Sequence, residues 1–246
     1  MSDSLVITPT YNEIENIETI IRTVFSFQKE FDILIVDDGS PDGTGAKVKE
    51  LQLQFPGRLH LLERKGKLGL GTAYIAGFHW ALEKSYEFMF EMDADFSHPP
   101  EKLADLYHEM KHKGADVAIG SRYIKGVSVV NWPLSRILMS YYASAYVRIV
   151  TGMHVRDTTA GFVAYSSKVL KTIGIDEIKM KGYGFQIEMK FRAFKNKFKI
   201  AEIPIIFTDR TEGSSKMSGG IFNEAFWGVL KMKFGSIFNK KKYVKR

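Results

Sequence analysis

The 246-residue sequence contains no cysteine, which removes thiolate metal sites, cysteine nucleophiles and disulfide frameworks together. Long apolar runs are missing as well. The first residues pass from Ser4-Leu5-Val6-Ile7 directly into polar Thr8-Pro9-Thr10-Tyr11-Asn12-Glu13, so no secretory segment is expected at the start. The best membrane-spanning candidate, residues 137–150, is shorter than the roughly 20 apolar residues a span requires and is interrupted by Arg148. Nucleotide fingerprints are also lacking. There is no Walker loop, and the spacing of Gly69 and Gly71 puts Tyr74 where a dinucleotide-binding loop needs a third small residue. A Ser-His-Asp hydrolase is excluded by the absence of a nucleophile elbow.

What is present is ordinary globular composition at a size that buries about 70–75% of the unfolded surface, so one large domain needs no covalent staple. The net charge of +7 is concentrated at one end. Residues 231–246 hold Lys231, Lys233, Lys240, Lys241, Lys242, Lys245 and Arg246 with no acid, and the rest of the chain is neutral. An anionic partner is therefore met by one basic segment rather than by the body.

Leu5-Val6-Ile7 and Ile33-Leu34-Ile35-Val36 are short, β-branched runs that end in polar clusters, as strands buried on both faces of a parallel sheet do. Between them Ile17, Ile20, Ile21, Val24 and Phe25 recur at helical spacing, with Asn12 or Asn16 available as caps. The alternation continues with a helix over 46–55, a strand over 59–62, a helix over 72–85 and a strand over 88–92. Later segments read as a helix over 100–113, a strand over 117–119, an aromatic helix over 134–150, strands over 161–165 and 200–207, and helices over 184–193 and 221–238. This pattern predicts an α/β fold with a mostly parallel sheet, helices on both faces, and ligands at the carboxyl ends of its strands.

The strongest chemical signal is Met92-Asp93-Ala94-Asp95-Phe96-Ser97-His98-Pro99 directly after a strand. Carboxylates two residues apart project to the same side of an extended chain, and their mutual repulsion is relieved by a cation. Asp93 and Asp95 are thus candidate ligands for Mg²⁺ or Mn²⁺, which favour oxygen donors and retain waters and substrate phosphates. Val36-Asp37-Asp38-Gly39-Ser40-Pro41-Asp42-Gly43-Thr44 follows another strand, where a carboxylate either caps a helix or meets a ligand. The loop Gly66-Lys67-Leu68-Gly69-Leu70-Gly71 opens a helix and offers N–H groups to an anion. Arg122, Arg136 with Ser140 one turn on, Arg210 and Lys216 punctuate polar turns of the second half.

Taken with Pro9-Thr10-Tyr11-Asn12-Glu13, Asp157-Thr158-Thr159-Ala160-Gly161-Phe162, Gly182-Tyr183-Gly184-Phe185-Gln186-Ile187-Glu188 and Arg210-Thr211-Glu212-Gly213-Ser214-Ser215-Lys216-Met217, these motifs resemble inverting family 2 glycosyltransferases. The likeness is strongest to the dolichyl- or polyprenyl-phosphate mannosyltransferases. It implies a GT-A fold over residues 1–217 and metal-dependent transfer of mannose from GDP-mannose to a polyprenyl (dolichyl) monophosphate. Pro9, Tyr11, Glu13, Asp38 and Lys67 would surround the donor. Asp93 and Asp95 would hold Mg²⁺ or Mn²⁺ and the diphosphate, and Gln186 would approach the sugar. Arg122, Arg136 and Ser140 would bind the acceptor phosphate, with Arg210 and Lys216 on the diphosphate; Asp95, Arg122 and Arg210 would be catalytic. Two departures stand out: Val163 replaces the usual Arg of Gly-Phe-Arg, and Val127 replaces a common Gly.

A phosphate monoester with a second pKa near 6 is already a nucleophilic dianion at neutral pH, so the acceptor needs no general base. Residues 218–246 read as a basic, amphipathic helix and tail suited to a membrane surface, whose interleaved apolar residues disfavour nucleic acid. The resemblance implies a peripheral protein on the cytoplasmic face, with a membrane-embedded partner as a possible companion. Two alternatives stay open: glucose from a UDP donor, and a non-catalytic subunit of a membrane glycosyltransferase complex.

Overall fold

The computed structural model describes residues 2–209 and 220–244. Strands β1 (Ser4–Thr10), β2 (Asp32–Asp37), β3 (Leu59–Glu63), β4 (Phe88–Glu91), β5 (Val117–Ser121), β7 (Val163–Ser166) and β8 (Ile200–Pro204) form one sheet in the order β3-β2-β1-β4-β7-β5-β8. Every pairing is parallel except those of β7, which runs antiparallel between β4 and β5. The short strands β6 (Val129–Val130) and β9 (Phe207–Thr208) pair separately.

The helices are α1 (Ile14–Phe25), α2 (Thr44–Gln52), α3 (Leu70–Glu83), α4 (Leu103–Lys111), α5 (Leu134–Thr151), α6 (Ser167–Ile173), α7 (Tyr183–Lys195), α8 (Gly220–Phe238) and α9 (Lys240–Tyr243). Alternate residues of the central strands face two cores. Leu5, Ile7, Leu34 and Val36 pack with α3 and α7 side chains, and Val6, Ile33 and Ile35 with those of α1, α2 and α4. Burial on both faces is why these strands are continuous apolar runs. α3 lies so close on β1 that a Cβ on Gly77 would sit 2.6 Å from Ile7 Cγ2. That contact requires glycine, and it seats Tyr74, one turn earlier, over the sheet.

The expected caps of α1 are not used. Asn12 adopts φ 62°, the α1 cap is Glu13, and Asp42 Oδ2 accepts from Ile14 N at 3.1 Å. The strand expected over 200–207 is broken after Pro204, with Phe207–Thr208 diverted to β6.

The C-terminal helix departs from the amphipathic expectation. Val229 and Met232 of α8 are buried with Val147 of α5 and Ile187 and Phe191 of α7, while Phe226, Trp227, Phe234, Ile237 and Phe238 are exposed. Apolar side chains thus occupy both faces, because one side is covered by the body and the other retains aromatic and aliphatic groups. Asn196 Nδ2 donates to the Tyr243 carbonyl at 2.8 Å and further fastens this end to α7. Among the described residues no helix is long and apolar enough to cross a membrane.

Candidate active site

The chain proceeds from β1 to β2 and β3 on one side and returns to β4 on the other, so the sheet's switch point lies between β1 and β4. A crevice at the carboxyl ends of these strands is where such sheets bind ligands. Tyr11, Asp38 and Asp93 follow β1, β2 and β4 there.

The loop after β2 is a hydrogen-bonded web. Asp37 accepts from Thr10 Oγ1 at 2.9 Å and Ser40 Oγ at 2.6 Å, and Asp42 accepts from Thr44 N and Oγ1. Asp37 and Asp42 therefore shape the loop. Asp38 instead pairs with Arg64, whose Nε lies 2.6 Å from Oδ1 and whose Nη1 donates to Thr72 Oγ1. Lys67 Nζ lies 4.8 Å from the centre of the Tyr11 ring. Glu13 receives Asn16 Nδ2 on Oε2, and Pro9 sits in β1 opposite Val36. These five expected donor residues, with Arg64, gather at the ends of β1 to β3.

At the end of β4, Tyr74 donates its hydroxyl to Asp93 Oδ1 at 3.2 Å, and Asp95 Oδ1 accepts from Ser97 N at 3.1 Å. The Asp93 backbone N–H donates to Nδ1 of the buried His98 ring at 3.1 Å. The two carboxylates suit Mg²⁺ or Mn²⁺, whose remaining ligands would be waters and phosphate oxygens. Among the described residues no group of three His, Cys, Asp or Glu forms an all-protein cage. The donor set therefore fits a substrate-bridged divalent ion.

Beneath the carboxylates lies a buried polar layer. Gln186 Nε2 donates to Glu91 Oε2 at 2.8 Å, and Lys190 Nζ approaches Gln186 Oε1 at 3.3 Å and the Ala160 carbonyl at 2.7 Å. Burial pushes the Glu91 carboxyl up to about 8 and draws the Lys190 ammonium down to about 8, each opposed by the other's charge. Gln186 is thus buried and held by Glu91 and Lys190.

The cationic side is built on β5, α5 and the 157–161 turn. Arg122 Nε and Nη2 bind Asp157 at 2.7 Å each, Nη2 also reaches Thr159 Oγ1, and both charged residues are buried. Burial alone would raise the Asp157 carboxyl, but the facing guanidinium outweighs it and holds the group below the usual carboxylate range. The Arg122 fork is directed at Asp157, and its side chain also lines a small cavity with His98, Phe162 and Phe207. Tyr123 donates to Ser140 Oγ at 2.7 Å, and Arg136 binds Asp209 while lying 4.1 Å from the centre of the Trp132 ring, over which Arg122 also lies. Arg122, Arg136 and Ser140 are thus brought together. A short chain of rings joins them to the carboxylates, since His98 packs on Phe162 and Phe207, and Phe207 on Trp132. Arg210 and Lys216 lie outside the described residues.

Sequence reasoning missed Arg64, Tyr74, Glu91, Asp157 and Lys190 as contributors. Each acts through a partner distant in sequence, and only Asp157 lay in a motif already singled out.

Residues 5–174 match the family model for glycosyl transferase family 2. The polyprenol monophosphomannose synthase of Mycolicibacterium smegmatis is 48% identical over 92% of this chain and 87% of its own length. The undecaprenyl-phosphate mannosyltransferase of Micrococcus luteus is 46% identical over 92% of both. Among solved structures, glucosyl-3-phosphoglycerate synthase from Mycobacterium tuberculosis with Mn²⁺, UDP-glucose and phosphoglyceric acid superposes with a TM-score of 0.66 at 16% identity, over 94% of this chain and 79% of its own. A mannosyltransferase from Pyrobaculum calidifontis in complex with GDP-Man and Mn²⁺ gives 0.59 at 14% identity, over 96% and 74%. These last two share the fold. The sequence match, extending over most of the chain, makes it a glycosyltransferase, and it belongs to glycosyl transferase family 2.

Proposed function

We propose that the protein transfers mannose from GDP-mannose to a polyprenyl monophosphate by a single inverting displacement, giving a β-linked mannosyl lipid. The observation that carries this reading is the juxtaposition of two polar assemblies, Asp93 with Asp95 on one side and Arg136 with Ser140 on the other, spanned by His98, Phe207 and Trp132. The names of the two bacterial relatives support mannose and a polyprenyl phosphate acceptor.

Tyr11, Asp38, Arg64 and Lys67 would bind the nucleoside end, and Asp93 and Asp95 would hold Mg²⁺ or Mn²⁺. When bound, that ion supplies charge to stabilise the departing diphosphate. The acceptor is an anion meeting an anion, so Arg136, the Tyr123-bound Ser140 and, outside the described residues, Arg210 and Lys216 would screen their repulsion. Arg122 would act from behind, by fixing the turn at Asp157. Attack by the phosphate dianion needs no proton removal, so no general base is required.

The test is transfer from GDP-mannose to a polyprenyl phosphate by the purified full chain with Mg²⁺ or Mn²⁺, beside UDP-glucose. Metal-dependent mannolipid with a β linkage is the expected product. An α linkage would rule out single displacement, and glucolipid from UDP-glucose alone would reassign the donor.

A lipid acceptor requires contact with a membrane surface. Exposed Leu134, Tyr142 and Ile149 of α5 and Trp227, Phe234 and Phe238 of α8, beside the lysines at the chain end, provide for it. Peripheral attachment at the cytoplasmic face is the corresponding proposal. Truncation is a poor probe, because it would also uncover Ile187 and Phe191. Phe234→Asp with Phe238→Asp touches the exposed face instead, and is expected to lower binding to anionic liposomes about tenfold or more. Cosedimentation equal to that of the unaltered protein would remove α8 from the membrane contact.

A further inference from the structure

Lys190 is fully buried on α7, and its ammonium has three oxygen neighbours: the Ala160 carbonyl at 2.7 Å, and the Gln186 carbonyl and Oε1, both at 3.3 Å. The amide nitrogen of Gln186 continues to Glu91 Oε2, while Glu91 Oε1 has no hydrogen-bond partner among the described residues. Glu91 therefore depends on Gln186 for its link to α7. It ends β4, two residues before Asp93. Ala160 belongs to the turn whose Asp157 grips Arg122, and its amide approaches the Asp157 carbonyl at 3.5 Å. Directly at the 157–161 turn, and through Gln186 at the end of β4, Lys190 thus ties α7 to the strand that precedes the paired aspartates and to the turn that carries the cationic side.

Packing alone does not call for lysine here. An aliphatic chain would fill the same space without desolvating an ammonium, and such replacement of a buried charge is often neutral or stabilising. What a methyl group cannot do is hold a carbonyl of one segment and an amide of another at fixed positions. We propose that Lys190 is a positioning residue that sets the register between the 157–161 turn and the Asp93–Asp95 strand end, and thereby the approach of acceptor to donor. This rests on the proposed reading that these two sides hold the two substrates. In-line transfer is sensitive to misplacement on the ångström scale.

The test compares the full chain with Lys190→Met, which keeps the length of the side chain and removes the ammonium. Hydrogen exchange of the amides at 157–161 is expected to quicken about tenfold or more while those of β1 and β2 are unchanged. At a temperature where both proteins are folded, kcat for lipid mannosylation is expected to fall about 10- to 100-fold with the donor KM within about two-fold of the parent. Exchange at 157–161 equal to the parent, or a kcat within about two-fold of it, overturns the proposal. So does an equal weakening of donor binding, which general loosening of the domain would cause. If Lys190→Met does not fold, Lys190→Leu removes the same ammonium and carries both readouts with the same expected outcomes. A parent protein that transfers no mannose would refute the proposed substrates alone, because the exchange measurement uses neither substrate.

Discussion

Asp95→Ala is expected to lower mannosyl transfer by about 10²- to 10³-fold, the scale of losing one electrostatic contact to a developing negative charge. The fold should not suffer. Asp95 accepts a local hydrogen bond from Ser97 N, and the bond from the Asp93 backbone to His98 is independent of it. Removing one of two neighbouring carboxylates also relieves their repulsion when no cation is present. The melting temperature of the metal-free variant should therefore equal or exceed that of the metal-free parent. This pairing of outcomes separates a ligand from a structural residue, whose loss would lower activity and stability together. Chelation of the parent should reduce its rate towards that of the variant and leave the variant almost unchanged. A single-turnover rate within about tenfold of the parent would remove Asp95 from the proposed metal site.

The sequence disclosed the site's near-neighbour chemistry better than its long-range connections. Asp93 and Asp95 stood out as two carboxylates just past an apolar strand, and the uninterrupted apolar runs of β1 and β2 marked the strands whose ends form the crevice. Spacing says nothing about which charge meets which across a fold. Arg64 closes on Asp38 from 26 residues away, Arg122 on Asp157 from 35, and Gln186 on Glu91 from 95. The sequence positions of Arg122 and Gln186 consequently gave no sign of the buried partners that hold them. The antiparallel insertion of β7 was hidden for a related reason, since pairing direction is a property of two strands rather than one. α6 is only seven residues long and escaped a reading based on periodicity. In α8 the apolar positions were visible, but their division between a face covered by α5 and α7 and an exposed face depends on tertiary packing.

Asp157→Ala is expected to be the most destabilising single substitution around the site, costing about 3–5 kcal/mol, because it leaves the buried Arg122 guanidinium without its counter-charge. Thr159 Oγ1 and the Tyr123, Trp132 and Phe207 rings would remain, yet none supplies a negative charge. The Arg122 backbone N–H would lose its acceptor as well. For a domain whose total stability is about 5–15 kcal/mol, this is a large fraction. Adding Arg122→Met should restore much of the loss by removing the stranded charge, so the two substitutions should be strongly non-additive in chemical denaturation. Additive losses would show that the pair does not act as a unit. The pH dependence has a definite sign. The folded Asp157 carboxyl titrates below its unfolded value, so its stabilisation is complete above about pH 4, where the unfolded carboxylate is ionised, and is lost as the pH falls through the folded value. The stability gap between parent and Asp157→Ala should accordingly be widest near neutral pH and narrow under acid conditions. Recovered stability in Asp157→Ala with Arg122→Met need not bring recovered transfer: the turn at 157–161 would then have lost its tie to β5, and a folded but slow enzyme is the outcome that assigns this ion pair to alignment of the acceptor side.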